Sequence, residues 1–550
     1  MAATANSKTL PSSEIPKSTT RRSLAPVAFA AICAAMLSAC AVWWCWHEGW
    51  TLYYGDAESH LNIARRIVDS RTPGYGQIGT AWLPLLHLLT LPLVIQNGLW
   101  TSGLAGAIPP AVCFVIGVTF LFAAVRRIFN STTAGAVAAA LYGLNPNALY
   151  LQSVPMNESL FFAALAGTLY FTVRFRETQS RWSAAGAGFA LFMGTLARYD
   201  AWFLIPFVTL YFLLAARGRR RWLTAFVFGA IACFGPLLWV AYNQLVFGNA
   251  LEFYSGSAST FAIQRGLFYP GKQDWKVALI YFGWAVRACA GAPLFFVGLT
   301  GVAAALWKRA FWPLILLALP GVFYVWSIHS SDTPIFLPNM WPHSYYNTRY
   351  GLALLPLLAF GGSAIVALSA EAMQARLKVL PGLAALAVMA VATAPWLLAF
   401  RPESCITWKE SLANSVARRA WTHRAAEYFK SHYHPGDGIF TSAGDYTGVF
   451  REAGIPLRET LTGDNGLHWQ AAVLRPDLYL WEQWAMVMGG DTVQTAVNRA
   501  RRHGPNFDMV RKIIVKDAPV IEIYERRTAP PELISPANED TLSQSARRQE

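Results

Sequence analysis

The stretch LAPVAFAAICAAMLSACAVWWCWHEGWTLYYGDAESHLNIARR, residues 24–66, decides the class of fold. Its first part, about 24–46, is an apolar run without a charge, and crossing a bilayer takes about 20 such residues. Trp43, Trp44, Trp46 and Trp50 cluster at its end. Tryptophan settles at the headgroup level, so these side chains mark the membrane boundary. From Asp56 the pattern turns helical: Ala57, Leu61, Ala64 and Val68 share one face, with Ile67 beside them. The chain therefore spans once and then lies along the membrane surface. Leu37-Ser38-Ala39-Cys40 has the form of a lipoprotein cleavage box. The apolar run continues past it to Trp46, unlike a cleaved signal.

The remaining composition extends this reading. Of 550 residues, 54% are hydrophobic and 14% charged, against about 25% charged in soluble chains. Further apolar runs lie at roughly 104–124, 131–148, 158–173, 183–197, 201–216, 222–243, 278–305, 311–328, 347–370 and 379–400. The expected fold is mostly α and polytopic, with about eleven spans counted by length. Starting from a cytoplasmic N-terminus, every second gap is basic: Arg126-Arg127; Arg174, Arg176 and Arg181; Arg217 and Arg219-Arg220-Arg221; Lys308-Arg309; Arg376 and Lys378. This is the asymmetry of cytoplasmic loops. The run 81–95 ends in Gln96-Asn97-Gly98 without a Lys or Arg and reads as an interfacial or re-entrant helix on the outer side. The net charge of +14 then reflects membrane orientation and excludes nucleic acid as a partner. Six of the seven Cys lie in apolar runs, which leaves no disulfide framework and no Cys-rich metal site.

An odd span count places the polar residues 401–550 outside. Ile439-Phe440-Thr441 reads as a strand after a Pro-Gly turn. Val510–Val515 and Val520–Tyr524 read as a hairpin, and 415–431 and 491–502 as helices. The expected organisation is a disordered cytoplasmic tail (1–22), a transmembrane domain (23–400) with an outer loop at 47–103, a small extracytoplasmic α/β domain (401–530) and a disordered tail (531–550).

The outer loop carries the chemistry. Asp56 and His60 are four apart and neighbour each other on a helix. Two roles are open to Asp56, a helix N-cap after Gly55 or a functional carboxylate. Glu58 is a first-turn acid that the helix dipole favours. Arg65 and Arg66 can pair with Asp69 or touch headgroups. Asp332, His329 and His343 share another outer gap, and His432-x-His434 has metal-ligand spacing without an evident third ligand.

These motifs, taken together, resemble the GT-C fold, the lipid-dependent, multi-span glycosyltransferases. The nearest branch is that of protein O-mannosyltransferases and lipid A aminoarabinose transferases. The resemblance covers roughly 24–400. It rests on Asp56-Ala57-Glu58-x-His60-x-x-x-Ala64-Arg65, on Gly79-Thr80-Ala81-Trp82-Leu83-Pro84-Leu85-x-His87, and on Pro155-Met156-Asn157-Glu158-Ser159-Leu160-Phe161. Leu196-Ala197-Arg198-Tyr199-Asp200 and Asn347-Thr348-Arg349-Tyr350 complete it. Asp-Ala-Glu replaces the adjacent Asp-Glu of the mannosyltransferases, and no β-trefoil-like domain is inserted. The resemblance implies a polyprenyl-phosphate-sugar donor in a bacterial-type plasma membrane and a glycan, lipid or protein acceptor. It assigns Asp56 as base and Glu58 as second catalytic carboxylate, which holds substrate or binds a divalent metal as in oligosaccharyltransferase relatives. This branch generally needs no metal. Arg198 and Arg349 are its phosphate ligands. His60, Arg65, His87, Glu158, Asp200 and Tyr350 complete the expected binding set. A flippase for lipid-linked sugars or a membrane scaffold are the rival readings. A transporter carries midplane ionisable groups and repeated halves, whereas these acids crowd one boundary and no internal repeat is visible.

The charge asymmetry is open to test in a Cys-free background. Asp464→Cys is expected to react with an impermeant thiol reagent in intact spheroplasts, and Arg219→Cys is not. Reversed labelling would overturn the orientation.

Overall fold

The computed structural model describes residues 23–527, except 257–258, 265, 308, 332, 374–379, 399–403, 443 and 445–446. The expected tails 1–22 and 531–550 lie outside the described residues, as do Lys308, Asp332, Arg376 and Lys378. The described chain is mostly helical, with one small sheet near its C-terminal end.

Helix α1 (Ala25–His47) starts with Pro26 in its first turn, where the missing N–H costs nothing. Among the described residues, five helices are long and apolar enough to cross a membrane: Ala25–His47, Leu104–Ile128, Gly218–Phe247, Phe311–Ser330 and Thr348–Ser369. The count reaches six if the bent pair Trp275–Ala290 and Ala292–Trp307 is one span. The expected eleven runs therefore reach the structure as helices of unequal length. Run 278–305 is broken by a bend of 111°. Gly291 sits at the break with φ +80°, a conformation open to glycine, and Pro293 opens the next helix. Run 131–148 divides into Thr132–Gly143 and Pro146–Leu151, because the Asn145 side chain accepts from the Asn147 and Ala148 backbone N–H groups and starts a new helix. Arg181–Thr195 and Asp200–Ala215 hold only 15 and 16 residues. Helix packing relies on small residues: a Cβ on Gly301 would collide with the Gly361 carbonyl.

Two short helices lie over one end of the bundle, α2 (Gly55–Arg66) and α3 (Leu85–Val94). With ten residues, α3 is too short to cross. After the last apolar helix the chain forms a long helix, Ile406–His432, and then a five-stranded sheet. The strands are β1 (Ile439–Thr441), β2 (Thr460–Leu461), β3 (Trp484–Met488), β4 (Phe507–Ile513) and β5 (Ile521–Arg526), in the order β2-β1-β3-β5-β4. β1 is parallel to β2 and β3, and β5 is antiparallel to β3 and β4. The expected hairpin strands begin three residues earlier, at Phe507, and one later, at Ile521.

Polar contacts seat this segment on the surface helices. The Tyr54 hydroxyl donates to the Thr407 carbonyl (2.8 Å) and Arg418 donates to the carbonyls of Leu52 and Tyr53 (3.0 and 2.8 Å). Arg66 pairs with Asp464, Arg71 with Glu482, and Arg458 with Asp69 (3.1 Å).

Candidate active site

Helix α2 turns its two acids to opposite sides. Residues two apart on an α-helix are separated by roughly 200°. Asp56 faces a cavity of about 350 Å³ that His60, Glu158, Arg198, Asp200, Arg349 and Tyr350 also line. Glu58 points the other way. Its carboxylate accepts from Arg451 at 2.7 and 3.1 Å and from the Asn62 amide at 2.9 Å. The i, i+2 spacing thus places the two expected catalytic carboxylates in the walls of different cavities. The capping role for Asp56 is absent. The helix begins at Gly55 with Tyr54 in the cap position and no side-chain cap.

The Asp56 carboxylate instead accepts from the Arg349 guanidinium at 2.6 Å. Arg349 lies at the start of the 3-10 helix Thr348–Leu354, after Asn347 in a left-handed conformation (φ 54°). Its guanidinium also lies 3.3 Å from Glu158 and 3.5 Å from Glu410. Arg198, in the turn between two helices, reaches Glu158 at 3.1 Å and Asp200 at 3.3 Å, and donates to the Tyr324 hydroxyl. Tyr324 in turn donates to Asp200 (3.2 Å) and stacks on Tyr350 at 4.7 Å. Two guanidinium groups thus face four carboxylates. Three of these are almost wholly buried, whereas the Asp56 side chain is 39% exposed and is the most open of the four. One oxygen each of Glu158 and Asp200 is buried without a hydrogen-bond partner.

Glu410 was not anticipated. It enters from the helix Ile406–His432 and accepts from the backbone N–H of Asn347 (2.9 Å) and Thr348 (2.8 Å), and from the Thr348 hydroxyl. It thereby fixes the turn that presents Arg349. Burial pushes its carboxyl above the ordinary range, against the opposing effect of Arg349 and the Thr348 and Asn347 donors. Its partners lie some sixty residues away in sequence, so no local signal marks it.

His60 is clamped in the cavity wall. One ring nitrogen lies 2.8 Å from His87, the other 3.3 Å from the Asn157 amide, and its ring packs against Trp82 at 4.6 Å. Burial, with the Arg349 and Arg198 charges adding to it, pushes the His60 pKa down to about 3. Burial lowers His87 as well, with the His60 and Arg66 charges adding to it. Wholly buried and in contact with His60, His87 sits behind it and does not line the cavity. Arg65 is also placed elsewhere. It pairs with Asp69 (2.7 Å), donates to the Val94 carbonyl and to Asn97, and lies over the Trp100 ring at 4.6 Å. It braces α2 against α3. His329 stacks on Trp275, His343 is exposed, and His432 is stacked on Tyr428. Among the described residues, no group of three His, Cys, Asp or Glu side chains is placed to hold a metal.

Residues 93–241 match the family model described as dolichyl-phosphate-mannose-protein mannosyltransferase. That segment includes Glu158, Arg198 and Asp200, but neither Asp56 nor Arg349. The fold is GT-C-like. It is similar to ArnT from Cupriavidus metallidurans bound to undecaprenyl phosphate, with a TM-score of 0.56, 14% identity, and coverage of 93% of this chain and 100% of that one. The apo form of the same protein gives a TM-score of 0.49 at 14% identity, covering 85% and 93% of the two chains. The oligosaccharyltransferase of Archaeoglobus fulgidus gives 0.40 at 13%, covering 84% and 68%. A search of curated protein sequences returned no match.

The clamp on His60 has a pH signature. Unfolded, its imidazole takes a proton near pH 6.5; folded, it does so only near 3. The stability drawn from neutral His60 is complete above pH 6.5 and is lost as pH falls towards 3, because only the unfolded chain gains the proton. Between pH 7 and pH 5 this is worth about 2 kcal/mol. The melting temperature is expected to drop over that interval, and to drop less in His60→Gln. An equal drop in both proteins would contradict the buried neutral imidazole.

Proposed function

We propose that this chain is an integral membrane glycosyltransferase. It transfers a sugar from a polyprenyl-phosphate-linked donor to an acceptor hydroxyl on the extracytoplasmic face. One observation carries the reading: the Asp56–Arg349 ion pair lies in the wall of the cavity that Glu158, Arg198 and Asp200 share. The GT-C-like fold and the mannosyltransferase match over 93–241 support it. The basic gaps Arg126-Arg127, Arg174 with Arg176, and Arg217 to Arg221 support a cytoplasmic N-terminus and an outward C-terminal segment.

The geometry suggests an order of events. Every nitrogen of both guanidinium groups already faces a carboxylate or the Tyr324 hydroxyl. A donor phosphate gains Arg349 by displacing Asp56, the most exposed of its partners. The planar guanidinium fork suits two phosphate oxygens. Asp56 is released beside the sugar as a free carboxylate. The acceptor oxygen attacks the anomeric carbon and Asp56 takes the acceptor proton. The anomeric C–O bond breaks, and its electrons leave with the polyprenyl phosphate. Arg349 and Arg198 stabilise the charge that develops there. Glu158 stands between the two arginines and keeps both in place. Glu58, paired with Arg451, takes no part in the transfer. The class of acceptor, whether glycan, lipid or protein, is left open by this arrangement.

Single-turnover transfer from a synthetic short-chain donor tests the assignment. Asp56→Asn is expected to lower turnover by roughly 10²–10⁴-fold, the worth of a positioned acid–base group. Its donor affinity is expected to equal or exceed wild type, since Arg349 is freed, with little change in melting because no cap is lost and Arg349 keeps Glu158 and Glu410. Arg349→Lys keeps the charge without the fork, and donor binding is expected to weaken by roughly tenfold or more. Transfer at the wild-type rate by Asp56→Asn would remove Asp56 as base.

A further inference from the structure

A second cavity of about 560 Å³ lies on the far side of α2, between the end of α1 and the helix Ile406–His432. Glu58 belongs to its wall, so one helix separates it from Asp56 and the sugar-transfer cavity. Its rim includes Trp46, one of the exposed tryptophans at the end of α1, which places its mouth at the headgroup level.

The lining is built around cations. Arg451 is already paired with Glu58, and Glu452 with His423 at 2.6 Å. Arg418 and Arg419 are left. Among the described residues, no carboxylate forms an ion pair with either. Arg418 is 9% exposed and is held by the Leu52 and Tyr53 carbonyls. Arg419 lies over the Tyr53 ring at 3.8 Å and donates to the Ser415 hydroxyl at 3.2 Å. A guanidinium buried against carbonyls and an aromatic face is oriented, yet its charge is not neutralised. Two threonines complete the lining. Thr51 and Thr422 are 3% and 4% exposed, and the hydroxyl of each is buried without a hydrogen-bond partner. Buried polar groups in native proteins are nearly always satisfied, and these two hydroxyls beside one cavity are donors that a bound ligand can satisfy.

The geometry points to a binding site for a phosphate ester, with Arg418 and Arg419 supplying charge and Thr51 and Thr422 supplying hydroxyl donors. Its place at the membrane boundary makes the phosphate of an anionic lipid headgroup the fitting source, ahead of soluble phosphate. Occupied, the site ties the Ile406–His432 helix to the membrane surface. That helix also carries Glu410, so the ligand bears on Arg349 through it.

The test uses the full chain in detergent, with short-chain phosphatidylglycerol and inorganic phosphate as separate probes, each followed by titration calorimetry. Phosphatidylglycerol is expected to bind, at least tenfold more tightly than inorganic phosphate. Arg419→Gln and Thr422→Val are each expected to weaken it several-fold, Arg419→Lys less than Arg419→Gln. Melting curves that match wild type show that the variants fold. Equal affinity for both probes, lowered by the same variants, would keep the anion site and overturn the lipid as its source. Absence of binding by either probe, or binding unchanged in Arg419→Gln and Thr422→Val, would overturn the site. A loss in Arg349→Lys as large as in Arg419→Gln would place the ligand in the sugar-transfer cavity and overturn it equally.

Discussion

Arg349 is held by three carboxylates from three distant parts of the chain: Asp56 on the surface helix α2, Glu158 at the head of a helix in the bundle, and Glu410 on the helix that leads to the sheet. A guanidinium buried as deeply as this one is tolerable only when paired and hydrogen-bonded. Leaving such a charge buried without any partner costs about 3–5 kcal/mol, whereas loss of the half-exposed Asp56 still leaves Glu158 and Glu410 beside Arg349. The cluster therefore fixes where α2 lies on the bundle and where the C-terminal segment docks. Arg198 extends it by sharing Glu158 and adding Asp200. The same pairing that orients the fold leaves one carboxylate, Asp56, partly exposed in the cavity wall, as the proposed transfer requires.

Helix α2 has the second organising role. It is buried between the helical bundle and the C-terminal segment, and its 3.6-residue period sends alternate acids to opposite sides. Asp56 belongs to the transfer cavity, while Glu58 is consumed by Arg451 from beyond the sheet's first strand. Asn62 continues that second face, donating to both Glu58 and Thr447. A residue pair that reads as a single motif thus lines two different cavities, Asp56 paired with Arg349 and Glu58 with Arg451.

Much of this was legible in the sequence, for reasons that have limits. The charge deficit and the tryptophan clusters mark a membrane chain because they report solvent, not partners. The separate motifs around Asp56, Glu158, Arg198 and Arg349 came together through their resemblance to known enzymes, and the structure does gather these side chains around one cavity. The span count was less secure, since an apolar window cannot see a break. Gly291 and Asn145 interrupt runs that hydropathy reads as continuous. The central strand Trp484–Met488 carried a signal in its five apolar residues, but such a short run does not separate strand from helix. Glu410 had none. It sits on a polar helix, and only the fold shows that its partners are the backbone beneath Arg349.

The account turns on a phosphate taking Arg349 from Asp56. A cryo-EM map of the full chain with undecaprenyl phosphate addresses that directly. The account requires phosphate density within hydrogen-bond distance of Arg349 or Arg198, with the Asp56 carboxylate moved off the Arg349 guanidinium. Phosphate density confined to the cavity of Arg418 and Arg419, with the Asp56–Arg349 pair intact, would contradict it.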